Sequence, residues 1–119
     1  MKAIRNKVQL IGNVGATPLV KQLESGKSVV HFSMATNERF KNQQGDLLTD
    51  TQWHYVVAWG KTAEIIGQYV SKGQEIAIEG KLTHRSYEAN GEKRYLTEVL
   101  CSEVLLLQSK SKPEAYTEE

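Results

Sequence analysis

Both tryptophans of the chain fall in one stretch, Thr51-Gln52-Trp53-His54-Tyr55-Val56-Val57-Ala58-Trp59-Gly60-Lys61. In an extended strand, side chains alternate between faces with period two. Trp53, Tyr55, Val57 and Trp59 then share one face, while His54, Val56 and Ala58 share the other. The small aliphatic side suits a core. The aromatic side suits either a second core or a platform on which flat, π-rich groups stack. Two more aromatic clusters carry cations: Phe40 lies between Arg39 and Lys41, and Tyr87 and Tyr95 lie close to Arg85, Lys93 and Arg94.

Aromatic and cationic residues interleaved in this way match one kind of ligand well. Single-stranded nucleic acid exposes flat bases on a charged backbone, and sequence-tolerant binding needs stacking rings along a basic groove. Strand parity alone leaves packing and binding both open, because most aromatics in strands are packed. Chemistry of other kinds is poorly provided for. His31, His54 and His84 stand at no metal-ligand spacing, and Cys101 has no partner motif. Gly12-Asn13-Val14-Gly15 lacks the third glycine and the following helix of a dinucleotide fingerprint. No catalytic motif, metal site or cofactor site is read, so the chain is not expected to be an enzyme.

The elements that must position these residues follow from periodicity and turn chemistry. Lys7 to Gly15 reads as a strand, with Gly12 and Gly15 marking a bend where it passes from one sheet partner to another. Val20 to Leu23 is a short extended piece, and Ser28 to Thr36 a second strand. Asn37 to Asp50 is polar and forms a long loop or a protruding hairpin. The tryptophan segment is the third strand. Thr62 is a candidate cap for a helix from Ala63 to about Lys72, with Ala63, Ile66 and Val70, joined by Ile65 and Tyr69, as its apolar stripe and Gly73 as its stop. Gln74 to Leu82 is the fourth strand. Asn90-Gly91 then predicts a type I′ hairpin joining His84–Ala89 to a fifth strand, Lys93–Leu107. Strands in this order, with one helix between the third and fourth, predict an all-β, five-stranded Greek-key barrel of the OB type. The domain is expected over residues 1–108 and a flexible polar tail over 109–119.

Composition sets outer bounds. The 119 residues, 39% hydrophobic and 24% charged, suit one globular domain. A net charge of +1 does not announce a polyanion partner by itself, although the first hundred residues are more basic than the remainder. The lone cysteine suits a reducing, cytoplasmic setting, no apolar run is long enough to span a membrane, and no signal peptide is read at the start.

Taken in order, several motifs resemble bacterial single-stranded DNA-binding proteins. They are Asn6-Lys7-Val8, Ile11-Gly12-Asn13-Val14-Gly15 with Pro18, Ala35-Thr36-Asn37, Trp53-His54, Trp59-Gly60-Lys61, Ala63-Glu64, Lys72-Gly73, Ile78-Glu79-Gly80-Lys81-Leu82, and Arg94-Tyr95 followed by Thr97-Glu98-Val99. The resemblance spans about residues 6–107. It implies an OB-fold homotetramer that binds single-stranded DNA without sequence preference in replication, recombination and repair, associated with the nucleoid. Stacking positions of the family match Phe40, Trp53, Trp59 and Tyr87, and its basic positions match Lys7, Lys21, Lys61, Lys72, Arg85 and Arg94. His54 resembles a family histidine near subunit contacts. Typical members end in an acidic tip closing on Pro-Phe, which recruits other enzymes. Lys112-Pro113-Glu114-Ala115-Tyr116-Thr117-Glu118-Glu119 is mildly acidic and lacks that anchor, so recruitment through the tail is doubtful. A short member carried by a mobile element or phage, or a truncated chain, would end in this way. Two alternatives are a dimeric primosome-type protein and a protein-interaction module that uses the same barrel.

Overall fold

A computed structural model describes residues 4–107; the tail expected over 109–119 lies outside the described residues. Six strands and one helix follow in the order β1 (Val8–Val14), β2 (Leu19–Gln22), β3 (Ser28–Lys41), β4 (Leu47–Trp59), α1 (Gly60–Tyr69), β5 (Glu75–Ala89) and β6 (Glu92–Leu106). The sheet order is β1-β5-β6-β4-β3-β2, and a further β1–β3 pairing closes it into a barrel. Of these, β2 is the short extended piece, so the five long strands and the helix between β4 and β5 are those expected of an OB barrel.

The bend in β1 lies where its glycines placed it. The strand pairs with β5 from Val8 to Asn13 and with β3 only at Asn13 and Val14. The two hairpins run further than the sequence suggested. β3 and β4 stay in register from Val29↔Trp59 out to Lys41↔Leu47, so of the two forms expected for residues 37–50 it is the protruding hairpin that forms, as a two-stranded arm. Polarity left the choice open, because the arm needs no buried face. Its tip is organised by Asn42, whose Oδ1 accepts the backbone N–H groups of Gln44 and Asp46 at 2.9 Å each. β5 likewise continues unbroken to Ala89, and both Asn90 (φ 53°) and Gly91 (φ 79°) take the left-handed conformation a type I′ turn requires.

Helix α1 departs from expectation at both ends. It begins at Gly60, where a φ of 62° turns the chain off β4, so Thr62 lies inside the first turn and caps nothing. Trp59 is the N-cap residue and makes no side-chain cap bond. The helix ends at Tyr69, before Gly73, which takes its positive φ in the turn that follows. Ala63, Ile66 and Val70 are buried as predicted, but Ile65 and Tyr69 face outward. At Gly67 an added Cβ would meet Val20 Cγ2, so the glycine lets α1 lie close against β2.

The core inside the barrel joins Val30, Phe32 and Met34 of β3 to Val56 and Ala58 of β4, with Ile66, Ile76, Ile78 and Val99. Each fully buried aliphatic side chain contributes about 1.5–3 kcal/mol. Among the described residues, no buried side-chain polar atom lacks a partner, and no helix is long and apolar enough to cross a membrane.

Cys101 is part of this core, and burial pushes its thiol up to about 11. The thiolate is the reactive form. The folded protein should therefore resist alkylation by iodoacetamide at mildly alkaline pH and label quickly once urea unfolds it. Equal labelling rates in the two states would show the sulfur to be accessible.

Candidate nucleic-acid interface

Cross-strand register fixes which side chains share the outer face of the barrel. Trp53 lies opposite Ala35, Tyr55 opposite Ser33, Val57 opposite His31 and Trp59 opposite Val29. The β3 partners of the three rings are small, so nothing across the strand covers them. Trp53, Tyr55 and Trp59 are 57%, 56% and 45% exposed, whereas Val57 between them is buried. The aromatic side of β4 is thus a surface. The inward side carries Val56 and Ala58 in the core, and His54, whose Nε2 lies 2.9 Å from Thr36 Oγ1.

A glycine shapes the Trp53 end of this surface. A Cβ at Gly15 would lie 2.7 Å from both Trp53 Cζ3 and Ser33 Oγ. The indole therefore rests over bare backbone, a contact the sequence motif did not reveal.

The same face continues onto β6 and β5. β4 and β6 run parallel and pair only at Val56↔Val99 and Val57↔Leu100. Beyond that point they part, leaving an open cleft of about 360 Å³ bordered by Trp53, Tyr55, Leu96 and Glu98. On β5, Lys81 lies opposite Leu100, Thr83 opposite Glu98, Arg85 opposite Leu96 and Tyr87 opposite Arg94. Tyr87 is 44% exposed and extends the aromatic surface along the second hairpin.

The predicted cations divide into several groups. Lys21 pairs with Val29, itself paired with Trp59, so it stands two strands from that ring on the same face. Lys61 is in the first turn of α1, just past Trp59. Lys72 lies in the turn after α1, where its backbone N–H bonds Thr17 Oγ1 at 3.1 Å and the Gly73 N–H bonds Val14 O at 2.8 Å. These bonds hold Lys72 near Gly15 and therefore near Trp53. Lys7 stands apart, 3.6 Å from Glu79, beside Lys81. Arg94 makes a 3.4 Å contact with Glu92 on the exposed hairpin.

Arg85 is differently placed. Its Nε and Nη2 donate to the two oxygens of Glu98 at 3.1 and 3.3 Å. Glu98 is buried, and His31 Nε2 is 3.9 Å from its Oε2. The hydrogen bonds that Glu98 accepts, then its charge, raise the Arg85 guanidinium above its ordinary value.

Phe40 is not gathered onto the Trp53 face. It pairs with Leu48 and has the parity of Met34 and His54, so it sits on the other side of the β3–β4 arm, 47% exposed. Its neighbours Arg39 and Lys41, opposite Thr49 and Leu47, do continue the Trp53 side. Period-two parity carried through residues 37–50 would have found both, once those residues were read as strand.

The model of the single-strand binding protein family matches residues 5–107. The chain belongs to this family. It is 47% identical over 107 residues to single-stranded DNA-binding protein 1 of Chlorobaculum tepidum, covering 88% of this chain and 66% of that one. The corresponding protein of Xylella fastidiosa is 40% identical over 107 residues, covering 88% and 79%. Among solved structures, the Plasmodium falciparum SSB in complex with ssDNA superposes with a TM-score of 0.78 at 31% identity, over 87% of this chain and 95% of that one. A deletion mutant of the single-stranded DNA binding protein from Thermus aquaticus gives 0.75 at 30% identity, over 87% and 50%. The chain thus spans about two thirds of the Chlorobaculum relative and half of the Thermus one. The family is one of single-strand binding proteins.

Proposed function

We propose that this chain coats single-stranded DNA without sequence preference, protecting exposed strands during replication, recombination and repair in the cytoplasm, at the nucleoid. One observation carries the reading: three half-exposed rings, Trp53, Tyr55 and Trp59, on one side of β4, set against small residues that leave them uncovered. Trp53 and Trp59 stack bases on the barrel, Tyr87 on the second hairpin and Phe40 from the far side of the first. Lys21, Lys61 and Lys72 around the rings meet phosphates, with Lys7 and Arg94 further out and Arg39 and Lys41 along the arm. The working unit is a homotetramer. Its support is a second exposed apolar surface around Ile11 and Leu105, 59% and 63% exposed, away from the aromatic face.

Titration with poly-thymidine at two salt concentrations tests this. Tryptophan fluorescence is expected to quench as bases stack. About five engaged cations correspond to a roughly hundredfold loss of affinity for a fourfold rise in salt. A flat salt response with unquenched fluorescence would instead assign the aromatics to a protein interface. Light scattering at the mass of one or two chains would refute the tetramer.

A further inference from the structure

A face that binds a polyanion gains nothing from a carboxylate, yet Glu98 lies at the centre of this one. It is buried between Thr83, opposite it on β5, and the end of the β4–β6 pairing next to Tyr55. A buried carboxylate is costly unless it is paired and hydrogen-bonded. Glu98 meets that condition by taking the Nε–Nη2 edge of Arg85 in a two-point fork. The pair as a whole is neutral. The fork fixes the guanidinium plane and leaves Nη1 and the faces of the group unspent. The Arg85 side chain is 51% exposed, between Tyr87 on its own strand and the cleft beside Tyr55.

We propose that Glu98 is a positioning residue that converts Arg85 from a phosphate contact into a base contact. A guanidinium plane held flat is a stacking surface for a nucleobase, as an aromatic ring is. A cation already matched by a buried anion adds no net charge and releases no counterions from the strand. Arg85 therefore extends the row of rings from Trp53 and Tyr55 towards Tyr87. This rests on the proposed single-strand binding. It differs from the role the sequence resemblance implied for Arg85, which was to meet phosphate.

Salt dependence separates the two roles. Affinity for poly-thymidine is measured across salt at one fixed pH of about 8, above the ordinary imidazole range. Glu98→Gln keeps the shape and removes the anion. It is expected to free the Arg85 charge and to steepen the log–log salt slope by about 0.7, the contribution of one phosphate on a single strand. That is roughly a 2.5-fold greater loss of affinity over a fourfold rise in salt. The double variant Arg85→Met, Glu98→Gln is neutral like the native pair and strands no charge, so it also covers the case in which the single variant does not fold. It should keep the native slope while binding at least fivefold more weakly, because one stacked group, worth about 1–3 kcal/mol, is gone. An unchanged slope in Glu98→Gln, or a slope about 0.7 shallower in the double variant, would place Arg85 on phosphate and overturn the proposal. A double variant of native affinity would remove the base contact. A native protein that does not bind poly-thymidine would overturn the proposed function itself, a result distinct from these.

Discussion

Trp53→Ala is expected to weaken poly-thymidine binding by about 5- to 150-fold, the equivalent of the 1–3 kcal/mol that one stacked base contributes. The effect should be on binding, with little on folding. Trp53 is more than half exposed and is not part of the core cluster, so its loss opens no cavity. The melting temperature should fall by no more than a few degrees, about 1 kcal/mol or less. Trp53→Phe should recover most of the affinity, because a smaller ring still stacks. With Trp59 as the remaining indole, quenching should persist at reduced amplitude. An alanine variant with native affinity would show that Trp53 contacts no base. One that loses binding together with much of its thermal stability would show that the ring's main role is packing.

That prediction combines what was legible in the sequence with what was not. Parity over residues 51–61 placed Trp53, Tyr55 and Trp59 on one face, because period two holds wherever a strand is straight. It did not decide whether that face looked inward. The decision rests on Ala35, Ser33 and Val29, whose small side chains lie opposite the rings only through a register set across 18 to 30 residues of chain. Phe40 shows the opposite failure. Its aromatic type and basic neighbours drew attention, but the arm's parity sets it on the other side of the ribbon from Trp53. Glu98 was legible only as part of a motif. Nothing local indicates that an acid on β6 holds an arginine 13 residues earlier on β5. Thr62 was misread because capping chemistry outweighed Gly60, whose left-handed conformation starts the helix three residues sooner.

The second large effect separates two glycines that stand three residues apart in one motif. At neither Gly12 nor Gly15 is the backbone in the left-handed region, so the objection to a side chain is steric alone. At Gly12 a Cβ would lie 2.1 Å from the carbonyl oxygen of Ala35 and 2.9 Å from its carbonyl carbon. Backbone on β3 cannot yield without opening the barrel where β1 changes partners. Gly12→Ala is therefore expected to destabilise the fold by on the order of 1–3 kcal/mol or more, the cost of overpacking a well-packed site. At Gly15 the atoms in the way are the far end of the Trp53 ring and the Ser33 hydroxyl, both able to move. Gly15→Ala should leave stability nearly native, since lower entropy of the unfolded chain, worth about 0.4–1 kcal/mol, offsets the displacement. It should nevertheless lift the indole from its seat and weaken poly-thymidine binding, by up to the loss seen in Trp53→Ala. Thermal melts and fluorescence titrations on the two variants check both halves. Matching stability losses in the two would show that Trp53 is too firmly held to move. Native binding by a stable Gly15→Ala would show that the ring's resting position is not the one that stacks.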